Sequence, residues 1–280
     1  MLRLGITLLL IALFPARLLA AGTWRASSET TWHGNVTNSD RPADRLAALQ
    51  WQTELAGEFN RPLPGGNFVS ASLHLDLDLW PRYQGLDAIT LGPGLGWDHK
   101  FGLGAQAWVI AAAAAGGWVS GREADRSGLS GQLQLEIRKR WNESWQFSLG
   151  TERTRHDARG RAFSNSGREN YLRGEFQLNA VWRATAELRQ RAGIVVSYTS
   201  PPRPDLVQAG KVLTLVDTFE RNAPLLAYYF PADTRSASLE LLRSLGLATS
   251  AYLRFEYRET THKALRYLDQ RSTVGVVRRF

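Results

Sequence analysis

Beyond its first twenty or so residues the chain is dominated by an alternation of apolar and polar positions with period two. From Val69 the odd positions read Val69, Ala71, Leu73, Leu75, Leu77 and Leu79, and the even positions between them Ser70, Ser72, His74, Asp76 and Asp78. A strand sends successive side chains to opposite faces, so this segment has one apolar and one charged face. The pattern returns over Leu129 to Ile137, opposed by Ser130, Gln132, Gln134 and Glu136, and over Leu172 to Trp182, opposed by Arg173, Glu175, Gln177 and Asn179. It recurs over Leu247 to Tyr257, opposed by Ser250, Tyr252, Arg254, Glu256 and Arg258. A soluble sandwich also alternates. These runs, however, reach ten residues or more, the length a tilted strand needs to cross hydrocarbon, against about five or six in globular proteins.

The pattern predicts twelve strands, over 23–33, 45–57, 67–80, 85–98, 100–119, 127–141, 143–155, 169–183, 184–199, 234–244, 246–259 and 264–280. The fold class is therefore all-β, a transmembrane antiparallel up-and-down barrel of about 12 strands, with 14 as the alternative if 199–234 hides another pair. Tight turns are expected at His99, Trp141-Asn142, Arg183-Ala184 and Ser244 to Gly246, and longer connections on the other side, near 34–44, 120–126, 156–168 and 200–233. Segment 58–66, with Pro62, Pro64, Gly65 and Gly66, breaks that asymmetry. Trp97, Trp141, Trp145 and Trp182, with Phe101, lie beside the tight turns and form one interfacial girdle. Ala111 to Ala115 reads as strand despite its helix propensity, because it continues an alternating run. In 200–233, an extracellular loop on this reading, Leu206, Ala209, Val212, Val216 and Phe219 recur at helical spacing, and Ala223 to Phe230 reads as a strand extension.

The first residues carry an export signal. Arg3 precedes an apolar core from Leu4 to Phe14, and Ala20, Ala21 and Gly22 are small, so residues 1–21 are expected to be cleaved and 22–280 to form the single barrel domain. Pro15 and Arg17 end the apolar run too early for a membrane-spanning helix. An oxidising compartment would permit disulfides, yet the chain has no cysteine, so packing and hydrogen bonding carry its stability. The net charge of +8 falls to +6 without Arg3 and Arg17. In an exported chain the expected counter-charges are lipid headgroups and lipopolysaccharide phosphates rather than nucleic acid.

The carboxyl terminus reads Thr273-Val274-Gly275-Val276-Val277-Arg278-Arg279-Phe280, with an aromatic last residue and Val276 and Val274 in phase with it. It resembles the closing strand of bacterial outer-membrane β-barrel proteins, porin-like in architecture. Arg278 departs from the pattern, which has an apolar or aromatic residue there. The resemblance implies an outer-membrane location and makes Phe280 the signal read by the barrel-assembly machinery. Tyr257 to Phe280 is also loosely similar to the last hairpin of barrels in surface-assembly and polysaccharide-export systems, which implies export-system partners. No subfamily follows.

Arg138, Arg173, Arg189, Arg191, Arg254 and Arg258 fall on inward faces, as do Glu54, His74, Asp76 and Asp78. If the strands close in sequence order, basic and acidic residues line different arcs and impose a transverse field on polar solutes. Alternatively, arginine and glutamate on neighbouring strands pair and fill the interior. Arg153, Arg155, Arg159 and Arg161 gather near the outer rim, where guanidinium groups match lipopolysaccharide phosphates. An outer-membrane phospholipase carries a serine two residues from its catalytic histidine. Here the residues two after each histidine are Asn35, Asp76, Phe101, Ala158 and Ala264, so a lipid hydrolase is disfavoured. No cofactor or metal spacing stands out. The expected function is a pore or conduit for small polar or charged solutes or saccharides. The alternative is a non-conducting accessory or structural barrel.

Overall fold

The computed structural model describes residues 22–160, 163–200, 211–216, 219, 225–263 and 265–280. The leader, 1–21, lies outside them. The strands are β1 (Thr23–His33), β2 (Ala48–Leu63), β3 (Asn67–Leu79), β4 (Ala88–Phe101), β5 (Trp108–Gly121), β6 (Gly128–Arg140) and β7 (Trp145–Ala158). They continue with β8 (Asn165–Gln177), β9 (Trp182–Thr199), β10 (Lys211–Val216), β11 (Leu225–Ser244), β12 (Thr249–His262) and β13 (Leu265–Arg279). Each strand pairs antiparallel with the next, except that β9 pairs with β11, and β13 returns to β1 with Arg25 opposite Arg279. Twelve strands thus close into a barrel, and the short β10 adds to the extracellular end of β11.

The outer wall explains why the sheet closes in a membrane. Leu95, Leu129, Leu133, Leu149, Leu188 and Leu239 point outward and are each more than half exposed. A continuous apolar belt of that extent belongs in lipid. At the periplasmic rim Trp145 meets Phe176 edge-on with ring centroids 4.5 Å apart, and Trp97, Trp108 and Trp141 lie on the same rim. Their indoles combine an apolar body with a polar N–H, which suits the headgroup level.

Pairing is staggered. Beginning at Thr23, successive hydrogen-bond partners around the wall are Glu58, Ser72, Gly94, Ala115, Gln132, Thr154, Gly167, Gly193 and Ala232. One row therefore starts at the periplasmic end of β1 and finishes in the extracellular part of β11. That climb is the shear that closure of tilted strands demands.

The turns depart from expectation in identifiable ways. β4 runs past His99 to Phe101 because His99 faces outward, stacked on Trp97 and edge-on to Phe101; the turn lies beyond, with Gly102 and Gly104 at φ of 100° and 95°. The run from Leu172 to Trp182 is two strands. Asn179 Oδ1 accepts the N–H groups of Val181 and Trp182, both at 3.0 Å, and turns the chain before Arg183 and Ala184, which belong to β9. Segment 58–66 is no long loop. β2 and β3 stay paired to Leu63 and Asn67, and Pro64, Gly65 and Gly66 make a tight turn, the glycines at φ of 74° and 78°.

Loop 200–233 is shorter than expected, since β11 begins at Leu225. Val212 and Val216 lie on β10, where β-branched residues override the helical spacing. Residues 201–210, with Leu206 and Ala209, lie outside the described residues. Ala111 to Ala115 is strand as read.

Leu172 sits midway along β8 on the lipid face. Leu172→Arg is expected to destabilise the refolded barrel by about 2–4 kcal/mol, read from denaturant unfolding in vesicles.

Candidate functional site in the barrel lumen

Alternation places every second residue inside, and the lumen divides into two unlike halves. One half, along β8, β9 and β11 to β13, is filled by a ladder of ion pairs. Glu187 accepts from Arg173 Nε at 2.7 Å and also from Arg189, which donates in turn to Glu169. Arg254 Nη2 donates to Glu240 at 2.6 Å, Arg258 Nη2 to Glu256 at 2.9 Å, and Arg271 Nε to Asp269 at 2.6 Å. Arg138, across the lumen on β6, pairs with Asp98 and lies 3.6 Å from Glu136. Two tyrosines lie flat within this scaffold: Tyr171 donates to Glu136 at 2.7 Å and Tyr252 to Glu29. Gly150 and Gly275 make room for them, since a Cβ at either would collide with the tyrosine ring.

The expected basic arc is therefore present in position but largely neutralised in charge. Arg173, Arg189, Arg254 and Arg258 face the lumen, each with a carboxylate. Arg191 faces it without an ion-pair partner among the described residues. The pairing could not be read from one strand, because Arg173 and Glu187 meet only once the β8–β9 register sets them opposite.

The other half is open. Ser70 and Ser72 on β3, Gly94 and Gly96 on β4, and Ala113 and Ala115 on β5 line a cavity of about 880 Å³. A Cβ at Gly94 or Gly96 would meet the hydroxyl of Ser72 or Ser70 and force that serine side chain to turn away. This small-residue wall is what sequence reading missed. Its signal was present in Gly92, Gly94 and Gly96 recurring on one face beside Ala111, Ala113 and Ala115. The cavity also holds Glu54, His74 and Asp76, with His74 Nε2 4.0 Å from Asp76. Asp78 lies higher on the same face and accepts from Gln50 Nε2 at 2.8 Å, while Gln50 Oε1 meets His33 Nε2 at 2.5 Å.

Two smaller cavities adjoin this one and run along the ion-paired half. A second, of about 560 Å³, reaches the periplasmic turns at Val181 and Ser244 and shares Arg25, Glu54, Asp76 and Arg279 with the first. Arg25 and Glu54 pair at 2.6 Å across this junction. A third, of about 270 Å³, shares Asn165 with the first and ends against Asn38, Val196 and Tyr198.

Those last residues form a lid. The paired ends of β9 and β11 extend past the wall, Leu226 opposite Thr199. Tyr198 packs with Trp80, Tyr83, Phe219, Leu225 and Ala227, and Arg126 Nη2 donates to its hydroxyl at 2.9 Å. Trp80 and Tyr83 belong to the β3–β4 connection and Arg126 to the β5–β6 connection, so the hairpin reaches across the mouth. The β1–β2 connection fastens it. Tyr198 N donates to Thr37 O at 2.8 Å, and buried Asp44 accepts from Thr199 Oγ1 at 2.6 Å, Ser200 N at 2.8 Å and Ser200 Oγ at 2.5 Å.

Of the remaining singled-out residues, Arg155 and Phe280 border the first cavity, and Arg153 and Arg159 lie away from it. Arg153, Arg155 and Arg159 are exposed on the outer wall or rim, and Arg161 lies outside the described residues. Phe280 N donates to Trp24 O at 2.9 Å, and the Arg278 guanidinium sits 5.2 Å from the Phe280 ring centroid. That stacking accommodates the residue that departs from the closing-strand pattern.

Glu187 bridges two arginines, so Glu187→Gln is expected to lower stability by about 1–3 kcal/mol, moderated by lumen water, as measured by the urea midpoint of refolded protein.

No protein-family profile matches the chain, and no curated protein matches it. Among solved structures it is similar to the COG4313 outer membrane channel from Pseudomonas putida F1, with a TM-score of 0.58 and 9% identity over 93% of this chain and 96% of that one. It also aligns with the NanC porin, TM-score 0.49 and 7% identity over 90% and 98%, and with the KdgM porin, TM-score 0.41 and 8% identity over 90% and 98%. With its closed wall and apolar outer belt, the chain has the fold of a twelve-stranded outer-membrane β-barrel channel.

Proposed function

We propose that the protein is a narrow, lidded conduit for small polar solutes. The observation that carries this reading is the run of three adjoining cavities from the periplasmic turns to the underside of the lid, the first of them walled by small residues and the other two bordered by the ion-pair ladder. Glycine and alanine contribute almost no side-chain volume. The ion-pair ladder on the opposite arc holds the wall apart, so space remains along β3 to β6. The path favours cations and neutral hydroxylated solutes. In the first cavity Arg25 and Arg155 are paired and Glu58 and Asp76 have no arginine partner among the described residues, with Arg279 the one arginine there without an ion-pair partner among them. Carboxylates left unpaired in a narrow, partly desolvated passage concentrate cations.

The lid supports one second reading, a non-conducting accessory barrel, because it crosses the extracellular mouth. Planar-bilayer recording of the refolded protein separates the two. Asp44→Ala removes the acceptor that holds Thr199 and Ser200, and is expected to raise open probability or conductance about threefold or more. No current in either the native protein or this variant would overturn the conduit.

Within the conducting protein, Glu58→Gln with Asp76→Asn is expected to shift the reversal potential in a salt gradient toward anion preference, and Ala113→Phe to reduce conductance by about half or more. An unchanged reversal potential would remove these carboxylates from the path.

A further inference from the structure

Above the leucine belt the outer wall changes character abruptly between β7 and β9. The row Leu149, Leu172 and Leu188 is followed by Thr151, Asn170 and Gln190, and then by Arg153 directly opposite Arg168. Both arginines are exposed, and neither has an ion-pair partner among the described residues. Their outward neighbours, Leu133 on β6, Thr151 and Arg155 on β7, Ser166 and Asn170 on β8 and Ala192 on β9, include no carboxylate. Arg155 is already paired with Asp157 at 2.8 Å.

Like charges directly opposite on antiparallel strands repel. Inside the barrel this chain gives nearly every arginine a carboxylate, whereas here it sets two guanidinium groups face to face without one. The position is specific as well. The pair stands one row of neutral polar residues above the last leucines, the height at which lipid headgroups begin. Arg159, at the top of β7, lies outward over the exposed Trp118 ring at 5.7 Å, marking the same interface.

We propose that Arg153 and Arg168 form a binding site for the phosphate of a lipopolysaccharide molecule in the outer leaflet. A phosphate between them removes the repulsion and accepts from both guanidinium forks, an arrangement arginine provides and lysine does not. Asn170, Gln190 and Ser166 supply neutral donors beside it for sugar hydroxyls. The site lies on the lipid side of the wall, independent of the conduit.

The test is native mass spectrometry of full-length protein refolded in detergent and titrated with diphosphorylated lipid A, monophosphorylated lipid A or phosphatidylglycerol. Arg153→Gln with Arg168→Gln is expected to weaken diphosphorylated lipid A binding about tenfold, and the corresponding double lysine variant to recover only part of it. A control that neutralises two outward cations at the periplasmic rim, Lys139→Gln with Arg243→Gln, is expected to leave binding unchanged. Heat-dependent migration in detergent gels verifies that each variant is folded. Equal retention of lipid A by the glutamine pair and native protein overturns the proposal. So does equal weakening by the rim control, or binding of phosphatidylglycerol as tight as that of diphosphorylated lipid A, since each shows attraction to charge without a site.

Discussion

The organising constraint is that hydrocarbon offers no hydrogen-bond partner to a peptide group. A sheet in lipid must leave no edge, and the pairing of β13 with β1 meets that requirement. Everything else follows from how this closure is made. Tilted strands close only with a stagger, which threads a single hydrogen-bonded row from the periplasmic end of β1 to the extracellular part of β11. Alternation then commits one face to leucine and tryptophan and the other to an interior into which half the side chains must go. In a barrel of this size that interior is too wide to be filled uniformly and too narrow to be left empty. The sequence divides it, arginine–glutamate pairs on one side and glycine, alanine and serine on the other.

The division follows the stagger. The lumen-facing row Ser72, Gly94, Ala115, Gln132, Thr154, Gly167 and Gly193 is composed mainly of small side chains. Most of these residues and their neighbours make room for the first cavity, while the two smaller ones lie against the ion pairs. Glu58 and Asp76 border the first cavity, and the lid closes the third. The ion pairs act as a buttress of the wall, because each guanidinium satisfied by a neighbouring carboxylate has little field left to project into the lumen.

The barrel was legible because its periodicity is local: β1 coincides with its predicted range, and Ala111 to Ala115 proved strand because the flanking alternation outweighed alanine's helix preference. Misreadings arose where a turn preserved the alternation, as at Asn179, or where an outward aromatic such as His99 resembled a break. The inward arginines were visible from phase alone. Their neutralisation was not, since it depends on register between strands, as with Arg173 and Glu187. The lid was least visible, because Asp44 and Ser200 are brought together only by closure of the whole wall.

That lid is made of the wall itself. β9 and β11 are paired into the barrel wall for most of their length and become a cover only beyond Gly193 and Pro231. Such a cover cannot be lost, diluted or exchanged with another molecule. Its return to the mouth is an intramolecular event, set by the bending of two strands and the few acceptors that receive them. Any opening of the mouth must therefore bend the wall's own strands beyond Gly193 and Pro231 and part Asp44 from Thr199 and Ser200.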